Sequence, residues 1–284
     1  MVYDIDQKAL DKFSKHLNSR LELLDQNEML EESPRIIASR IHTSLNLEDA
    51  VKNADYVQEC GPENIDLKIN IFSQLTKFTD PSAILASSSS AITPSRIAEG
   101  LASNERCLVV HPGNPPYLIS IAEVVPAKFT SQEATDRCIS ILKSVGMVPI
   151  QINHEPEGFV FNRLQGAMLR EAYCLVRDGV ISASDLDLIV TQGLGKRWAI
   201  VGPFATSALN VRGGIKAHVQ RMGASYHRMG LERGQNDPWD EATVSKVDES
   251  IEKVLPQADW DSHTEKRDLA LMKLTKFLTR LKRP

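Results

Sequence analysis

Apolar positions near the start of the chain follow a helical period. Five of them recur at spacings of three and four residues: Leu10, Phe13, Leu17, Leu21 and Leu24. This spacing places all five side chains on one face of a helix, because an α-helix has 3.6 residues per turn. The sequence therefore predicts an amphipathic helix near the start of the chain, with one face packed against a core.

Short apolar runs and helical segments alternate further along the first half. Residues 55–59 and 83–86 predict strands, and residues 65–78 between them predict a helix. Two later apolar runs, 107–111 and 119–125, also have strand character. Alternating strands and helices are typical of an α/β fold built on a parallel sheet.

The pattern changes after residues 147–152 and becomes helical. The apolar side chains that lie on or near one face of the next helix are Phe161, Leu164, Met168 and Tyr173, and further helical stretches continue to Arg283. We place the domain boundary near residues 153–156. The chain is therefore divided into an α/β domain over 1–153 and an all-helical domain over 154–284.

Composition narrows the class of protein. The 284 residues are 42% hydrophobic and 25% charged, which is ordinary for a soluble globular protein. A net charge of −4 argues against a general nucleic-acid binder, and no apolar run approaches the length of a membrane span. Because no secretory signal is visible and the four cysteines form neither a CxxC motif nor a metal-like cluster, we expect a cytoplasmic protein with free thiols and no metal site.

A histidine and a carboxylate are the strongest chemical candidates. His111 and Glu123 lie on the two later strand-like runs, which a turn rich in proline and glycine joins. Two strands joined in this way can lie side by side, so the imidazole and the carboxylate are expected to face each other. A carboxylate on one ring nitrogen fixes the tautomer and leaves the other nitrogen to move a proton. On spacing alone a structural histidine remains the commoner outcome.

Several ordered motifs resemble the 3-hydroxyacyl-CoA dehydrogenase family. They are Val110-His111-Pro112-Gly113-Asn114-Pro115-Pro116, Ala122-Glu123-Val124-Val125-Pro126, the serine run 87–90, Gly158-Phe159-Val160-Phe161-Asn162-Arg163-Leu164, Asp185-Leu186-Asp187 and Gly202-Pro203-Phe204. The resemblance implies a Rossmann-type sheet followed by a helical domain. It also implies hydride transfer between a secondary alcohol and NAD, and a homodimer.

The resemblance assigns catalytic roles to four residues. His111 is the expected acid and base, and Glu123 is the carboxylate that orients it. Ser90 is expected to touch both substrate and cofactor, and Asn162 to donate to the substrate oxygen. Ser90 as a turn or helix cap, and Asn162 as a structural amide, remain open alternatives.

The same resemblance implies a set of cofactor contacts. Asp4 stands where the family places the carboxylate that binds the ribose hydroxyls, and Glu63, Lys68, Ser90 and Asn114 align with further contacts. A solvated first helical turn for Glu63 and Lys68, and a turn asparagine at Asn114, are the competing interpretations.

The glycine-rich phosphate turn of such domains, GxGxxG, does not occur in the sequence. Residues 2–6 already resemble the second strand of the family, so we expect the sheet to lack its first β-α unit because the chain is truncated. Later glycines at 193, 195, 213 and 214 lie in the helical half and follow no predicted strand. Poor binding of NAD, or none, is the expectation.

The segment around Arg197 and Trp198 bears on the substrate. Arginine can hold a carboxylate with two hydrogen bonds, and tryptophan can fill space that an acyl chain would need. Members of the family that act on fatty-acyl-CoA generally carry smaller residues here, so the resemblance implies a small hydroxy acid such as L-gulonate. A helix-terminal cation at Arg197 and a core tryptophan at Trp198 are the competing interpretations. An acyl-CoA substrate and a non-catalytic, crystallin-like structural protein are the alternative functions.

Overall fold

The computed structural model describes residues 1–233, 240–253 and 256–281. Within it, the chain divides into two compact units, Met1–Arg163 and Leu164–Pro284. Residues 154–163, which the sequence pattern assigned to the helical domain, group with the first unit. The predicted helical end at Arg283 lies outside the described residues.

Unit 1 is an α/β structure. Its strands are β1 (Val2–Tyr3), β2 (Thr43–Ser44), β3 (Tyr56–Glu59), β4 (Ile84–Ser87), β5 (Cys107–Pro112), β6 (Ile121–Pro126) and β7 (Val148–Gln151). Its helices are α1 (Gln7–Gln26), α2 (Pro34–Ser39), α3 (Leu47–Val51), α4 (Ile65–Phe78), α5 (Pro94–Ala98) and α6 (Gln132–Ser144), and α7 (Phe161–Arg177) begins at its end.

The strands form two sheets. β1 and β2 pair in parallel as a two-stranded sheet, and the other five strands lie in the order β3-β4-β5-β6-β7. Within the larger sheet all neighbours are parallel except β5 and β6, which are antiparallel. The Rossmann-type α/β fold that the sequence predicted is therefore confirmed, with one antiparallel pair inside a mostly parallel sheet.

Both faces of the larger sheet are covered, which explains why its strands read as continuous apolar runs. On one face Leu85 and Val109 pack in the same cluster as Phe72 of α4. On the other face Ile84 and Leu108 pack in a cluster with Cys138 of α6. The side chains of β4 and β5 alternate between the two clusters, as the period of two residues requires.

Two predicted helices begin where a polar side chain caps them. Asp6 accepts a hydrogen bond from the backbone N–H of Lys8 at the start of α1, and Asn64 accepts one from Leu67 at the start of α4. Leu10 and Leu21, which belong to the apolar face predicted for α1, are buried. The helix predicted over residues 65–78 has those bounds in the structure.

Regular structure in the described part of unit 2 is helical throughout. Beyond α7 the helices are α8 (Ala183–Ile189), α9 (Gly195–Trp198), α10 (Pro203–Leu209), α11 (Gly214–Arg233), α12 (Glu241–Glu252) and α13 (Trp260–Leu281). A π-helical turn over Val190–Leu194 joins α8 to α9. Among the helices described in either unit, none has both the length and the apolar character needed to cross a membrane.

Candidate active site

His111 and Glu123 meet across β5 and β6. The two residues stand directly opposite each other in the antiparallel register, and Nδ1 of His111 lies 2.9 Å from Oε2 of Glu123. Both are buried, with 8% of His111 and 4% of Glu123 exposed. The contact predicted from the sequence is confirmed, because side chains opposite each other on paired strands project from the same face.

The turn after His111 is built around Gly113. Its N–H donates to the carbonyl of Ile121, which closes the end of the β5–β6 ladder. A Cβ atom at this position would lie 2.5 Å from Cγ2 of Ile119, so only glycine fits the close approach of the two segments. Asn114 follows on this turn and is exposed.

The second oxygen of Glu123 binds the beginning of α7. Oε1 accepts hydrogen bonds from the backbone N–H groups of Val160 at 2.8 Å and Phe161 at 3.0 Å. These donors belong to the helix N-terminus, where unpaired N–H groups and the helix dipole favour negative charge. Sequence reasoning did not identify this contact, which fixes the carboxylate beside His111.

A left-handed turn directs those two N–H groups. Gly158 has φ +74° and Phe159 has φ +51°, a conformation that is uncommon for a residue with a side chain. Phe159 is fully buried, and its ring centroid lies 5.8 Å from that of His111. The burial of this ring holds the strained backbone in place, and the Gly-Phe pair is the sequence signal that could have revealed the turn.

The contact with Glu123 determines which ring nitrogen of a neutral His111 carries the proton. Because the Glu123 carboxylate accepts at Nδ1, the proton resides there and Nε2 carries the free lone pair. Within the described residues, no hydrogen bond engages Nε2. This nitrogen can accept a proton from a bound molecule.

Ser90 and Asn162 are brought together. Nδ2 of Asn162, in the first turn of α7, donates to the backbone carbonyl of Ser90 at 3.0 Å. Ser90 is exposed, and its hydroxyl makes no hydrogen bond with a described residue. It lies on the segment 87–92, here called the serine loop, which begins at the last residue of β4.

The other serines of this loop bind the protein itself. Ser87 donates to Glu59, Ser89 donates to Glu63, and Ser88 accepts from the side chain of Gln58. Gln58, which sequence reasoning missed, also donates to the carbonyl of Val110 at 3.1 Å, next to His111. Ser90 is therefore the serine of the run whose hydroxyl remains available to a ligand.

Glu63 and Lys68 are engaged inside the protein. Lys68 is 1% exposed, and its Nζ lies 3.0 Å and 3.1 Å from the two oxygens of Glu59. Burial alone would raise the pKa of Glu63, but hydrogen bonds from the Ser89 hydroxyl and two backbone amides, with the charge of Lys68, hold that pKa below its usual value. The side chain of Lys68, which was predicted to contact the cofactor, is therefore buried and not exposed at the surface in this structure.

The residues present fit NAD at its two nucleoside ends. Asp4 follows the carboxyl end of β1, where a carboxylate suits ribose hydroxyls, and one of its oxygens accepts from the backbone N–H of Asp6. Ser90 follows β4, Asn114 follows β5, and both are exposed. Their side chains offer hydrogen-bonding groups suited to the amide of the nicotinamide end. No GxGxxG turn is present in the sequence for the pyrophosphate.

Arg197 and Trp198 lie in unit 2. Both belong to the short helix α9, directly after the π-helical turn, and Trp198 is 39% exposed. Irregular π-helical turns are frequent at functional sites. Across the residues that the structure covers, no group of three or more His, Cys, Asp or Glu side chains is arranged to hold a metal ion.

Comparison with known proteins matches both halves of the chain to one family. Residues 1–155 match the family model described as 3-hydroxyacyl-CoA dehydrogenase, NAD binding domain, and residues 158–252 match the model of its C-terminal domain. Lambda-crystallin of Oryctolagus cuniculus is 37% identical over 281 residues, which cover 97% of this chain and 88% of that protein.

Two further relatives carry enzyme names. A 3-hydroxyacyl-CoA dehydrogenase of Gibberella moniliformis is 42% identical, with 78% of this chain and 70% of that protein covered. An L-carnitine dehydrogenase of Pseudomonas putida is 37% identical, with 62% of this chain and 55% of that protein covered.

Proposed function

Since the chain belongs to the 3-hydroxyacyl-CoA dehydrogenase family of NAD-dependent oxidoreductases, we propose that it oxidises the 3-hydroxyl group of a small hydroxy acid such as L-gulonate. The observation that carries the proposal is the buried pair of His111 and Glu123, in which one ring nitrogen is held and the other is free. This arrangement suits the removal of a hydroxyl proton.

The proton moves to His111 as the alcohol is oxidised. Nε2 takes the hydroxyl proton while the carbon loses its hydride, for which bound NAD supplies the acceptor. The Glu123 carboxylate then faces a positively charged ring, and its attraction stabilises that form. Because the backbone N–H groups of Val160 and Phe161 hold the other carboxylate oxygen, Glu123 keeps its position through the step.

Asn162 and Ser90 orient the alcohol in this proposal. A side-chain amide has two N–H donors, and Asn162 uses one of them on the carbonyl of Ser90. The second donor is left for the substrate oxygen, whose negative charge grows as the proton leaves. The exposed hydroxyl of Ser90 supplies a further hydrogen bond beside it.

The choice of a small substrate rests on a relative and on two residues. The L-carnitine dehydrogenase among the relatives acts, by its name, on a small polar hydroxy acid. Arg197 as a ligand of the substrate carboxylate, and Trp198 as a side chain that limits its size, stay predictions. The relative named 3-hydroxyacyl-CoA dehydrogenase favours an acyl-CoA substrate as the second candidate.

A comparison of turnover with three substrates tests the proposal. Formation of NADH is measured with L-gulonate, L-carnitine and 3-hydroxybutyryl-CoA, using the wild-type chain and the variant His111→Gln. We expect faster turnover of a small hydroxy acid than of the CoA ester, and its loss in the variant. Faster turnover of the CoA ester supports the second candidate. Because the sequence lacks the GxGxxG turn and poor binding of NAD is expected, the affinity for NADH is measured by calorimetry in parallel. No turnover despite binding of NADH supports a non-catalytic, crystallin-like role, and no turnover without binding of NADH shows that this chain lacks the cofactor affinity that the proposal requires.

We also propose that the protein is a homodimer in the cytoplasm. Several large apolar side chains of unit 2 are exposed in this single chain, among them Phe204 at 82%, Leu209 at 76% and Leu231 at 70%. Large apolar side chains that stay exposed in one chain are often covered by a partner subunit. Sedimentation at micromolar concentration tests the dimer, since a single species with the mass of one chain contradicts it.

A further inference from the structure

Gln58 carries a half-buried amide on β3 that the proposed proton transfer does not involve. Its Nε2 donates to the carbonyl of Val110 at 3.1 Å and to the hydroxyl of Ser88 at 2.6 Å. Its Oε1 accepts from the hydroxyl of Tyr56. Because a side-chain amide has two N–H donors, both of them are engaged within the protein.

The chemistry of the partners fixes the direction of these hydrogen bonds. A backbone carbonyl can only accept, so the nitrogen of the Gln58 amide must face Val110. The amide oxygen then faces Tyr56, whose hydroxyl can donate. An amide turned by 180° would place two acceptors against each other at Val110. The hydroxyl of Tyr56 therefore selects the orientation in which Gln58 binds the strand.

The contact with Val110 joins two strands that are not neighbours. β4 lies between β3 and β5, and with strands about 4.8 Å apart their backbones are separated by roughly 10 Å. The residue opposite Gln58 on β4 is Ala86, whose small side chain leaves room for the longer one. The register of β4 and β5 ends with Ser87 opposite Val109. The amide therefore holds β5 one residue beyond its pairing with β4.

Both groups that accept from Gln58 adjoin the candidate active site. Val110 directly precedes His111, so its carbonyl belongs to the peptide unit that leads into the histidine. Ser88 lies on the serine loop, two residues before Ser90. One side chain thus joins the strand end that carries the imidazole to the loop that carries the exposed serine hydroxyl.

We propose that Gln58 is a positioning residue that sets the place of His111 relative to the serine loop, and that Tyr56 supports it by fixing the amide. The inference rests on the proposed function only for the part that His111 and the loop play in the reaction. Without the amide, β5 beyond Val109 is paired with β6 alone, and the loop loses the donor that holds Ser88. The two parts of the site can then move relative to each other.

A double-mutant cycle tests the proposal. Gln58→Met keeps the length of the side chain and removes its donors, Tyr56→Phe removes only the hydroxyl, and the double variant combines them. Gln151→Met replaces an exposed glutamine on β7 of the same sheet and is the matched control. Cys138→Ala, in the apolar cluster on one face of that sheet, reports the effect of lost stability alone.

The first measurement is hydrogen–deuterium exchange in the protein without cofactor, which does not depend on activity. In Gln58→Met we expect exchange to be roughly tenfold faster in two separate segments, 88–92 and 110–113. Tyr56→Phe should raise exchange in the same two segments by a smaller factor. The double variant should equal Gln58→Met, because the hydroxyl acts only through the amide.

The second measurement separates kcat from KM for the hydroxy acid. A displacement of about 1 Å can cost up to roughly 100-fold in rate, so we expect kcat of Gln58→Met to fall by about tenfold while KM stays within about twofold. Gln151→Met should match the wild type. Cys138→Ala should lower the urea midpoint without this selective loss of kcat.

Three results would overturn the proposal. They are wild-type exchange in either segment of Gln58→Met, losses in the double variant that multiply those of the single variants, and a fall in kcat that Cys138→Ala reproduces at equal stability. If Gln58→Met does not fold, Tyr56→Phe decides alone, and unchanged exchange in that variant contradicts the proposal. If the wild-type chain shows no turnover, the proposed function fails and the exchange data still decide the role of Gln58.

Discussion

His111 and Glu123 stand directly opposite each other on antiparallel strands, with 2.9 Å between Nδ1 and Oε2. The second oxygen of the carboxylate is held by the first backbone N–H groups of α7. A single side chain thus joins the imidazole of the sheet to the start of a helix. The predictions below follow from this pair and from the residues that support it.

Removing the base should abolish turnover without unfolding the protein. For His111→Gln we expect kcat to fall by about 10²–10⁴-fold, the usual contribution of a positioned acid or base. Exposed His154, changed in the same way, is the matched control and should retain full activity. Steady-state NADH formation measures both variants. If His111→Gln keeps wild-type kcat, this histidine is not the base.

The close approach at Gly113 predicts a strict requirement for glycine. In Gly113→Ala the new methyl group would lie 2.5 Å from Cγ2 of Ile119, and we expect a loss of about 1–3 kcal/mol in the free energy of unfolding. Gly230→Ala, where a Cβ meets no neighbouring atom, should be neutral or slightly stabilising because alanine favours a helix. Urea denaturation compares the two, and equal midpoints would contradict the prediction.

The four cysteines should differ in reactivity. Burial raises the pKa of Cys107 and of Cys138 to about 12, while Cys60 is exposed. Since the thiolate is the reactive form, a thiol reagent at neutral pH should modify Cys60 rapidly and the buried thiols only on unfolding. Cys60→Ser should abolish the rapid phase, and a rapid phase that survives in this variant would refute the assignment.

The serine loop should loosen in acid. The folded pKa of Glu63 lies below its usual value, so the stabilisation from this carboxylate is complete above the usual value and is lost as the pH falls through the folded one. The stability advantage of the wild type over Glu63→Gln should therefore shrink as the pH falls below about 4.3, the usual pKa of a glutamate. Urea unfolding across this range measures it. A difference that stays constant with pH would show that Glu63 does not titrate in this way.

A role of Arg197 in binding a carboxylate makes a selective prediction. In Arg197→Met we expect KM for a small hydroxy acid to rise by about tenfold or more, the usual value of a charge-assisted hydrogen bond. Turnover of 3-hydroxybutyryl-CoA should not fall in parallel. Exposed Arg212, changed to methionine, provides the control. An equal loss for both substrates would assign Arg197 a structural role.

The pattern of apolar residues by itself determined the secondary elements that build the core. The helix over residues 65–78 and the strand runs near 84, 108 and 123 follow from local periodicity, because side chains that share a face repeat at a fixed spacing. The short elements β2, α2 and α3 were not predicted, because two to six residues are too few to show a periodic pattern of apolar side chains.

The sequence alone also indicated which histidine and which carboxylate meet, since two strands joined by a turn can lie side by side with both side chains on one face. Only the tertiary structure decided what surrounds them. The N–H groups of Val160 and Phe161 on Glu123, and the position of Lys68 between Glu59 and Glu63, join segments far apart in the chain. Such contacts depend on how the loops fold onto the strand ends, and no local spacing encodes that.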